Sequence, residues 1–556
     1  MLRAKIISNL DKVLGDGCYE DYREISSITA LRGERVAFQL LCEAIPEGES
    51  NYPRLYRPTL SGDLAKHATV REVRHVPAMG NFRGNSDPDY ITTKPGLIPD
   101  ILAPLPYGGR MALPPRGLFT LWIELDIPRD SDICGKIPLT LSVTYDPINP
   151  SDIDLTLNFE IEIDVIDATL PECELIFTQW FHADCLADYY EVEKWSEEHF
   201  RIVESFVKTA VRNGVNMLYT PLLTPPLDNA FDTRDIQLTE IRVTGDSYEF
   251  GWDRLDRWID IADRSGIKYF EIGHLFTQGG AKYATKAMGE VDGSHQRLFG
   301  KTTPSTDEGY TKFLRALLSS FLDHMKARGD DRRCFFHISD EPSEAQLEDY
   351  KAAKETVADL LSDYPVMDAL SNYDFYAKGI VKTPVVLMNH LDSFIESEVP
   401  NLWTYNCCAP ASEYSNRFLS MTLTRNRSIA LMLYRYSFQG FLHWGYNFYN
   451  NAGSSDVIDP FLDTAAGGMF PSGDAFSVYP GRGGEPLESM RLVTFNEALQ
   501  DLSAMKLCEK LYSRDEVIAA IESALGEPIK PTTYVNSSAP YIRIRELIND
   551  MIRKRV

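Results

Sequence analysis

The chain has no apolar stretch approaching the roughly 20 residues needed to cross a membrane. Its first residues, Met-Leu-Arg-Ala-Lys-Ile-Ile-Ser-Asn-Leu-Asp-Lys, lack the apolar core of a signal peptide. Together these absences predict a cytoplasmic protein with no membrane partner. Basic residues are also scarce, with 56 Lys and Arg against 81 Asp and Glu and a formal charge of -25. With no basic patch in sight, nucleic acid is excluded as a partner. There is no CxxC pair among the nine cysteines, so reduced thiols are expected rather than a disulfide framework or a zinc site. Cys407-Cys408 would be a vicinal redox pair only against the alternation of a strand, which sends neighbours to opposite faces. Nor is there a phosphate loop, because Gly481-Arg-Gly-Gly484 follows Tyr479-Pro480 without a lysine or the strand-then-helix context. No repeat or low-complexity tract is present, and no cofactor is expected.

What the chain does have is length and rings. Its 556 residues predict two or three domains, and 28 Tyr, 27 Phe and 7 Trp suffice for large cores and a ring-lined pocket. The first 170 residues read as all-β. In Leu155-Thr-Leu-Asn-Phe-Glu-Ile-Glu-Ile-Asp-Val165 every odd position is apolar and every even one polar, the period of a half-buried strand. Leu139–Tyr145, Leu121–Ile127 and Arg35–Leu40 repeat it between Pro and Gly clusters, which predicts a β-sandwich over residues 1–170. Leu170-Pro171 marks the hinge.

Beyond it, strands alternate with helices. Eight apolar runs stand at Ile176–Phe181, Val215–Tyr219, Lys268–Ile272, Cys334–Ile338, Val366–Leu370, Pro384–Asn389, Leu402–Asn406 and Gly440–Gly445. Helical spacing follows at Trp195–Val211, at about 307–328, 343–362 and 486–506, and in a tail at Tyr541–Ile552; the fifth to seventh units carry the weakest helices. This is the arithmetic of a (β/α)8 TIM-type barrel over residues 171–556 with a helical tail. The predicted fold is therefore multidomain β plus α/β, a sandwich followed by a barrel.

The most informative stretch is Cys334-Phe-Phe-His-Ile-Ser-Asp340-Glu341-Pro342. A buried strand ends in two adjacent carboxylates, and a proline opens a helical stretch from Ser343. At the C-terminal lip of a barrel that is the position of catalytic groups. Paired carboxyls suit a glycosidic bond, where one must hold a proton and the other stay ionised. Other strand ends supply Gln179 to Asp184, Glu271 to His274, Asn372-Tyr373, Asn389-His390, Tyr405-Asn406 and His443 to Asn447. Rings beside Asn, His and acids describe a sugar subsite. A metal site from His182, Asp184, His274, His337 and Asp340 is the rival. It is disfavoured because the motif is His-x-Asp and because His337 and Asp340, three apart on a strand, would face opposite sides. No metal is expected.

Phe336-His337-Ile338-Ser339-Asp340-Glu341-Pro342, with Gly440-Phe-Leu-His-Trp-Gly-Tyr-Asn-Phe448, and Gly473-Asp474 before Tyr479-Pro480-Gly481, resembles the family-123 glycoside hydrolases. Gly33-Glu34-Arg35 with Phe38-Gln39, and Gly96 to Asp100, extend the resemblance into the first domain. Phe495 to Leu502 departs from the more acidic, Tyr-containing stretch of many relatives. The resemblance implies a retaining exo-glycosidase that releases β-linked N-acetylgalactosamine by substrate-assisted catalysis through an oxazolinium intermediate. It implies Glu341 as general acid and then base, and Asp340 as the group that orients the 2-acetamido substituent. Trp403, Tyr405, Trp444 and Tyr446 are candidates for the acetamido box, with Tyr405 the hydroxyl donor; His182, Asp184 and Asn389 are candidates for sugar hydroxyls. A small glycan or glycoside is the expected substrate. The alternatives are another sugar, such as β-N-acetylglucosamine, or an inactive carbohydrate-binding protein.

Overall fold

The computed structural model describes residues 2–45, 54–81, 87–113, 117–146 and 155–556. The chain forms two compact units. One holds the residues up to Glu174, Ser412–Arg435 and everything from Leu487; the other holds Leu175–Ala411 and Tyr436–Pro486.

The first unit is built on two five-stranded sheets. In one the order is Leu2–Ser8, Arg35–Ala44, Leu118–Asp126, Ala68–Ala78 and Gly96–Pro104, all antiparallel. In the other it is Ser27–Arg32, Thr156–Thr169, Gly135–Tyr145, Arg54–Ser61 and Met111–Leu113, antiparallel except for its parallel first pair. The alternating residues seen in the sequence meet in one apolar core: Phe38, Leu121, Ile123 and Leu125 from one sheet, and Leu139, Leu141, Val143, Ile161, Ile163 and Val165 from the other. Strand Arg35–Ala44 is buried on both faces along its first eight residues, which its alternation does not foretell. On its second face Leu41 packs with Ile7, Val13 and Leu118, and the Arg35 backbone exchanges two hydrogen bonds with the Gln500 side chain. Gln500 lies on the helix Met490–Leu511, which is buried nearly all round. That helix carries Arg491, whose guanidinium is bidentate to Asp100 at 2.9 and 2.8 Å with both groups fully buried. Helices Arg514–Leu525 and Ser538–Arg553 complete the unit.

The second unit is an eight-stranded parallel barrel. Its strands run Ile176–Gln179, Met217–Thr220, Tyr269–Ile272, Cys334–Phe336, Met367–Leu370, Thr383–Leu387, Trp403–Asn406 and Gly440–His443. The first strand pairs with both the second and the eighth. The ring is nearly closed: strands four and five meet only at a bridge between Phe336 and Val366. Side chains complete the ladder there, the Asp368 carboxylate accepting from Ile338 N–H at 3.0 and 3.2 Å. Likewise the Asn216 amide joins strands one and two, accepting from Phe177 N–H and donating to the Leu175 carbonyl, both at 2.9 Å. Alternate residues including Ile176, Met217, Tyr219, Phe335, Met367, Ala369, Val385, Trp403, Tyr405 and Leu442 form the apolar cluster of the barrel.

The helical layer is uneven. Glu197–Arg212, Asp253–Ser265 and Glu308–Arg328 follow the first three strands, whereas Asp374–Ala377 and Asp392–Glu396 are single turns. The helices after strands seven and eight are counted with the first unit. A four-stranded sheet formed by the hairpins Glu240–Gly251 and Ala287–Phe299 is inserted after the second and third strands. Its strands are short and largely exposed, so they carry no apolar run for the sequence to reveal.

Candidate active site

The fourth strand ends at Phe336, two residues earlier than its apolar run predicts. The chain then turns instead of continuing as a strand. Glu341 adopts φ +45°, a left-handed conformation that a non-glycine residue holds only at a cost of about 1 kcal/mol or more. The turn is fixed from three sides. Glu341 N–H donates to the Ala369 carbonyl on strand five at 3.0 Å, and Gly279 N–H donates to the Asp340 carbonyl at 2.9 Å. The Ser339 hydroxyl bridges the loop after strand three, donating to the Thr277 carbonyl at 2.8 Å and accepting from Ala281 N–H at 3.0 Å. Ser343 then caps a 3-10 turn through a reciprocal box with Gln346, leading into helix Leu347–Glu355.

This turn gives the two acids different surroundings. Asp340 is 4% exposed and its Oδ2 accepts from Gln278 Nε2 at 2.9 Å. Burial, followed by the neighbouring Glu341 charge, pushes its carboxyl well above the usual range, while His337 and Gln278 act in the opposite sense. Glu341 is exposed, and its Oε1 accepts a 2.5 Å hydrogen bond from the Tyr405 hydroxyl. A third carboxylate, Asp228 on the loop after strand two, is also in the field of Glu341 and is raised chiefly by its own burial. Asp228 and Gln278 were not among the sequence candidates, because both lie in loops without a motif.

Beneath the acids lies a buried polar chain. His337 Nε2 is 2.7 Å from Glu271 Oε1 and Nδ1 is 3.1 Å from Asp368 Oδ1. Glu271 also accepts from Trp180 Nε1 at 2.6 Å and from the Thr178 hydroxyl; Asp368 also accepts from the Tyr350 hydroxyl. Burial alone would lower the His337 pKa, but the bonds and charges of Asp368 and Glu271 outweigh it and raise it to about 9. His274 stacks on His337 with ring centroids 4.3 Å apart and planes 21° from parallel. His274, His337 and Asp368 have ligand atoms within 4.8 Å of one another. Two nearly parallel rings cannot both aim an in-plane nitrogen at one ion about 2 Å away, and both His337 nitrogens face carboxylates. The trio does not suit a metal.

The first strand's His182 and Asp184 are engaged by an arginine. Arg234 is bidentate to Asp184, at 2.6 and 2.8 Å, and its Nη2 is 3.2 Å from His182 Nδ1. Burial, then the Arg234 charge, lowers His182 to about 3, so Nδ1 accepts and Nε2–H donates to the Trp444 carbonyl at 2.9 Å. Asp184 is held well below the usual carboxylate range, since Arg234 overcomes the effect of burial. The guanidinium thus occupies the position a metal would need, and both side chains are buried with it.

The eighth strand explains its motif residue by residue. Gly440 faces Trp403 so closely that a Cβ would lie 2.3 Å from the indole. Trp403 is fully buried, and its Nε1 donates to Gln439 Oε1 at 3.2 Å. Trp444 is half-buried, donates from Nε1 to Asp474 Oδ2 at 3.0 Å, and packs edge-on against Phe448 and Phe470. Gly445 is forced by the Ala475 carbonyl, 2.5 Å from where a Cβ would sit. Tyr446 is fully buried, stacks on Phe181, and donates to the Phe206 carbonyl of helix Glu197–Arg212 at 2.9 Å. The Asn447 amide brackets the His182 backbone, accepting its N–H and donating to its carbonyl. The structure therefore brings Asp340, Glu341 and Tyr405 into one group. Trp444 belongs to a ring cluster with His182, Trp403 and Tyr446 lie in packing layers, and Asn389 is exposed on the turn after strand six.

The catalytic-domain model of the Glycoside hydrolase 123 family matches residues 180–508. Over its whole length the chain is similar in structure to a family 123 glycoside hydrolase from Clostridium perfringens, described for glycolipid glycan hydrolysis. That match has a TM-score of 0.75 at 15% identity and covers 98% of that chain. A family 2 glycosyl hydrolase from Bacteroides cellulosilyticus shares 10% identity over 79% of this chain and 46% of its own, with a TM-score of only 0.26. No curated protein sequence matches. The catalytic-domain match takes in the acid pair, the eighth-strand motif and well over half of the sequence, and the chain accordingly belongs to glycoside hydrolase family 123 and is a glycoside hydrolase.

Proposed function

We propose that the protein is a retaining exo-glycosidase that releases β-linked N-acetylgalactosamine by substrate-assisted catalysis, on a barrel of the (β/α)8 type. The observation that carries this reading is the contrast between two adjacent acids. Glu341 reaches solvent and is held by Tyr405; Asp340 is buried and held by Gln278. Two carboxylates that act across a glycosidic bond must flank it, roughly 5–10 Å apart. Neighbours on one turn suit a different division of labour.

In this reading Glu341 protonates the departing glycosidic oxygen while the substrate's acetamido carbonyl oxygen attacks C1. The C1–O bond to the leaving group breaks and an oxazolinium ring closes. Asp340 orients the acetamido N–H and faces the positive charge that develops on it. Glu341, now ionised, takes a proton from water, which attacks C1, reopens the ring and retains configuration. No protein nucleophile is needed. Trp444 and Tyr405 offer the surfaces and hydroxyl such a pocket requires, and His182 and Asp184 shape it through Arg234. We extend the substrate class of the Clostridium perfringens enzyme, a glycolipid glycan, to this chain.

The test is hydrolysis of chromogenic β-glycosides of N-acetylgalactosamine, N-acetylglucosamine, galactose and glucose, with Glu341→Gln as control. Cleavage confined to acetamido sugars and lost in the variant supports the mechanism, and the faster of the two acetamido sugars names the substrate. Cleavage of the 2-hydroxy sugars would refute substrate assistance. Binding without turnover across the panel would favour a carbohydrate-binding protein.

A further inference from the structure

The buried His337 has no part in the chemistry just described, yet its setting is highly specific. Each ring nitrogen faces a carboxylate oxygen, Glu271 Oε1 at 2.7 Å and Asp368 Oδ1 at 3.1 Å. Both acids already accept from neutral donors: Glu271 from Trp180 and Thr178, Asp368 from Ile338 N–H and Tyr350. Burial raises the Asp368 carboxyl and the His337 bond and charge oppose that rise; with both acids ionised, the two sides call for donors on both ring nitrogens, which only the imidazolium provides. The ring is further fixed by the stack on His274 and an edge contact with Trp180, centroids 6.4 Å apart. His337, Glu271, Asp368, His274, Trp180, Thr178 and Tyr350 are all buried.

We propose that His337 is a positioning residue for the reaction, an imidazolium clamped between Glu271 and Asp368 whose fixed charge favours the ionised form of the buried Asp340 carboxylate beneath the substrate. This rests on the reading of Asp340 as the carboxylate that faces the acetamido group. Burial and Glu341 both favour a protonated Asp340; the His337 cation opposes them, assisted by the neutral Gln278 donor. Of the other groups facing the pair, Asp368 adds to the adverse field at Asp340. His274 is kept neutral by burial and by the His337 charge, and Tyr219 and Tyr350 are kept protonated by burial and the nearby acids. His337 is therefore the one imidazolium in this cluster. The clamp explains why strands three and five each carry an acid within an apolar run.

The test uses the full chain. Nitrogen-15 NMR of histidine-labelled protein, with His337 assigned by its loss in H337Q, reads the protonation of the ring. Two protonated nitrogens at pH 7 are expected, and a neutral ring there overturns the proposal without requiring that any variant be active. Carbon-13 titration of the Asp340 carboxyl should move upward by about one to three units in H337Q. The acid limb of kcat/KM should move with it, with kcat falling more than KM rises. An unmoved Asp340 titration in folded H337Q overturns the proposal. Should H337Q not fold, D368N keeps the ring but removes one carboxylate of the clamp, and the His337 titration read by nitrogen-15 NMR should move downward; an unmoved His337 titration overturns the proposal. A displaced Asp340 titration in a protein that cleaves no acetamido sugar would sink the proposed function and the positioning role with it, leaving only the electrostatic link between His337 and Asp340; no displacement would overturn the inference while leaving the proposed function standing.

Discussion

The Tyr405 hydroxyl, at the end of the seventh strand, donates a 2.5 Å hydrogen bond to Glu341 Oε1 on the turn after the fourth. Tyr405 is 3% exposed while Glu341 reaches solvent, so the buried partner orients the exposed one. Hydrogen bonds to a charged group contribute roughly 1.5–3 kcal/mol. Tyr405→Phe is therefore expected to lower kcat by about 10- to 100-fold with a smaller change in KM, read from steady-state kinetics on the best substrate of the panel. An unchanged kcat would show that Glu341 needs no such partner.

Asp340 makes the acid limb of activity diagnostic. Its carboxyl titrates above the ordinary Asp value of about 3.9 because it is buried beside Glu341. The ionised form thus gives way to the protonated one at a higher pH than for an exposed aspartate. Activity that depends on ionised Asp340 should fall, as pH drops, with a midpoint above that value. Asp340→Asn should remove this limb and cost about 10²–10⁴-fold in rate. Full activity in the variant would refute the role.

Arg234 and Asp184 form a fully buried bidentate pair. Removing one partner of such a pair strands the other charge and costs about 3–5 kcal/mol. Arg234→Met should lower the melting temperature sharply, and the double variant R234M/D184N should recover much of the loss. If both variants melt together, the pair is not what stabilises this corner.

Gly440 is the place where the barrel accommodates Trp403, since a methyl group there would lie 2.3 Å from the indole. Gly440→Ala should destabilise by about 1–3 kcal/mol, the usual range for overpacking. Thermal melts would reveal it, and a neutral effect would mean that Trp403 can shift.

His337 also links stability to pH. Its folded pKa, about 9, exceeds the unfolded value of about 6.5. The stability it contributes is complete below pH 6.5 and is lost as pH rises through 9. Melting temperature should decline across that window in the wild type and less so in H337Q. Parallel profiles would count against the clamped imidazolium.

Much of this protein could be read from the order of its residues. Period-2 alternation placed the N-terminal strands because a strand with one dry face must alternate. Eight apolar runs marked the barrel strands because a parallel strand is buried on both faces. The adjacent acids stood out because charge at the end of such a run is costly without a purpose. Asp368 is a similar signal, a carboxylate inside the apolar run Val366–Leu370.

What the tertiary structure decided was pairing between distant segments. Arg234 lies in a loop of no regular pattern, and only folding brings it onto Asp184, 50 residues away. Tyr405 meets Glu341 across 64 residues, and Glu271 meets His337 across 66. The difference between Asp340 and Glu341 is likewise invisible in two letters, since it arises from a left-handed turn that buries one and exposes the other. Local sequence sets propensity and periodicity; desolvation and charge contact depend on which residues the closing barrel brings within a few ångströms, and that alone fixes how each acid behaves.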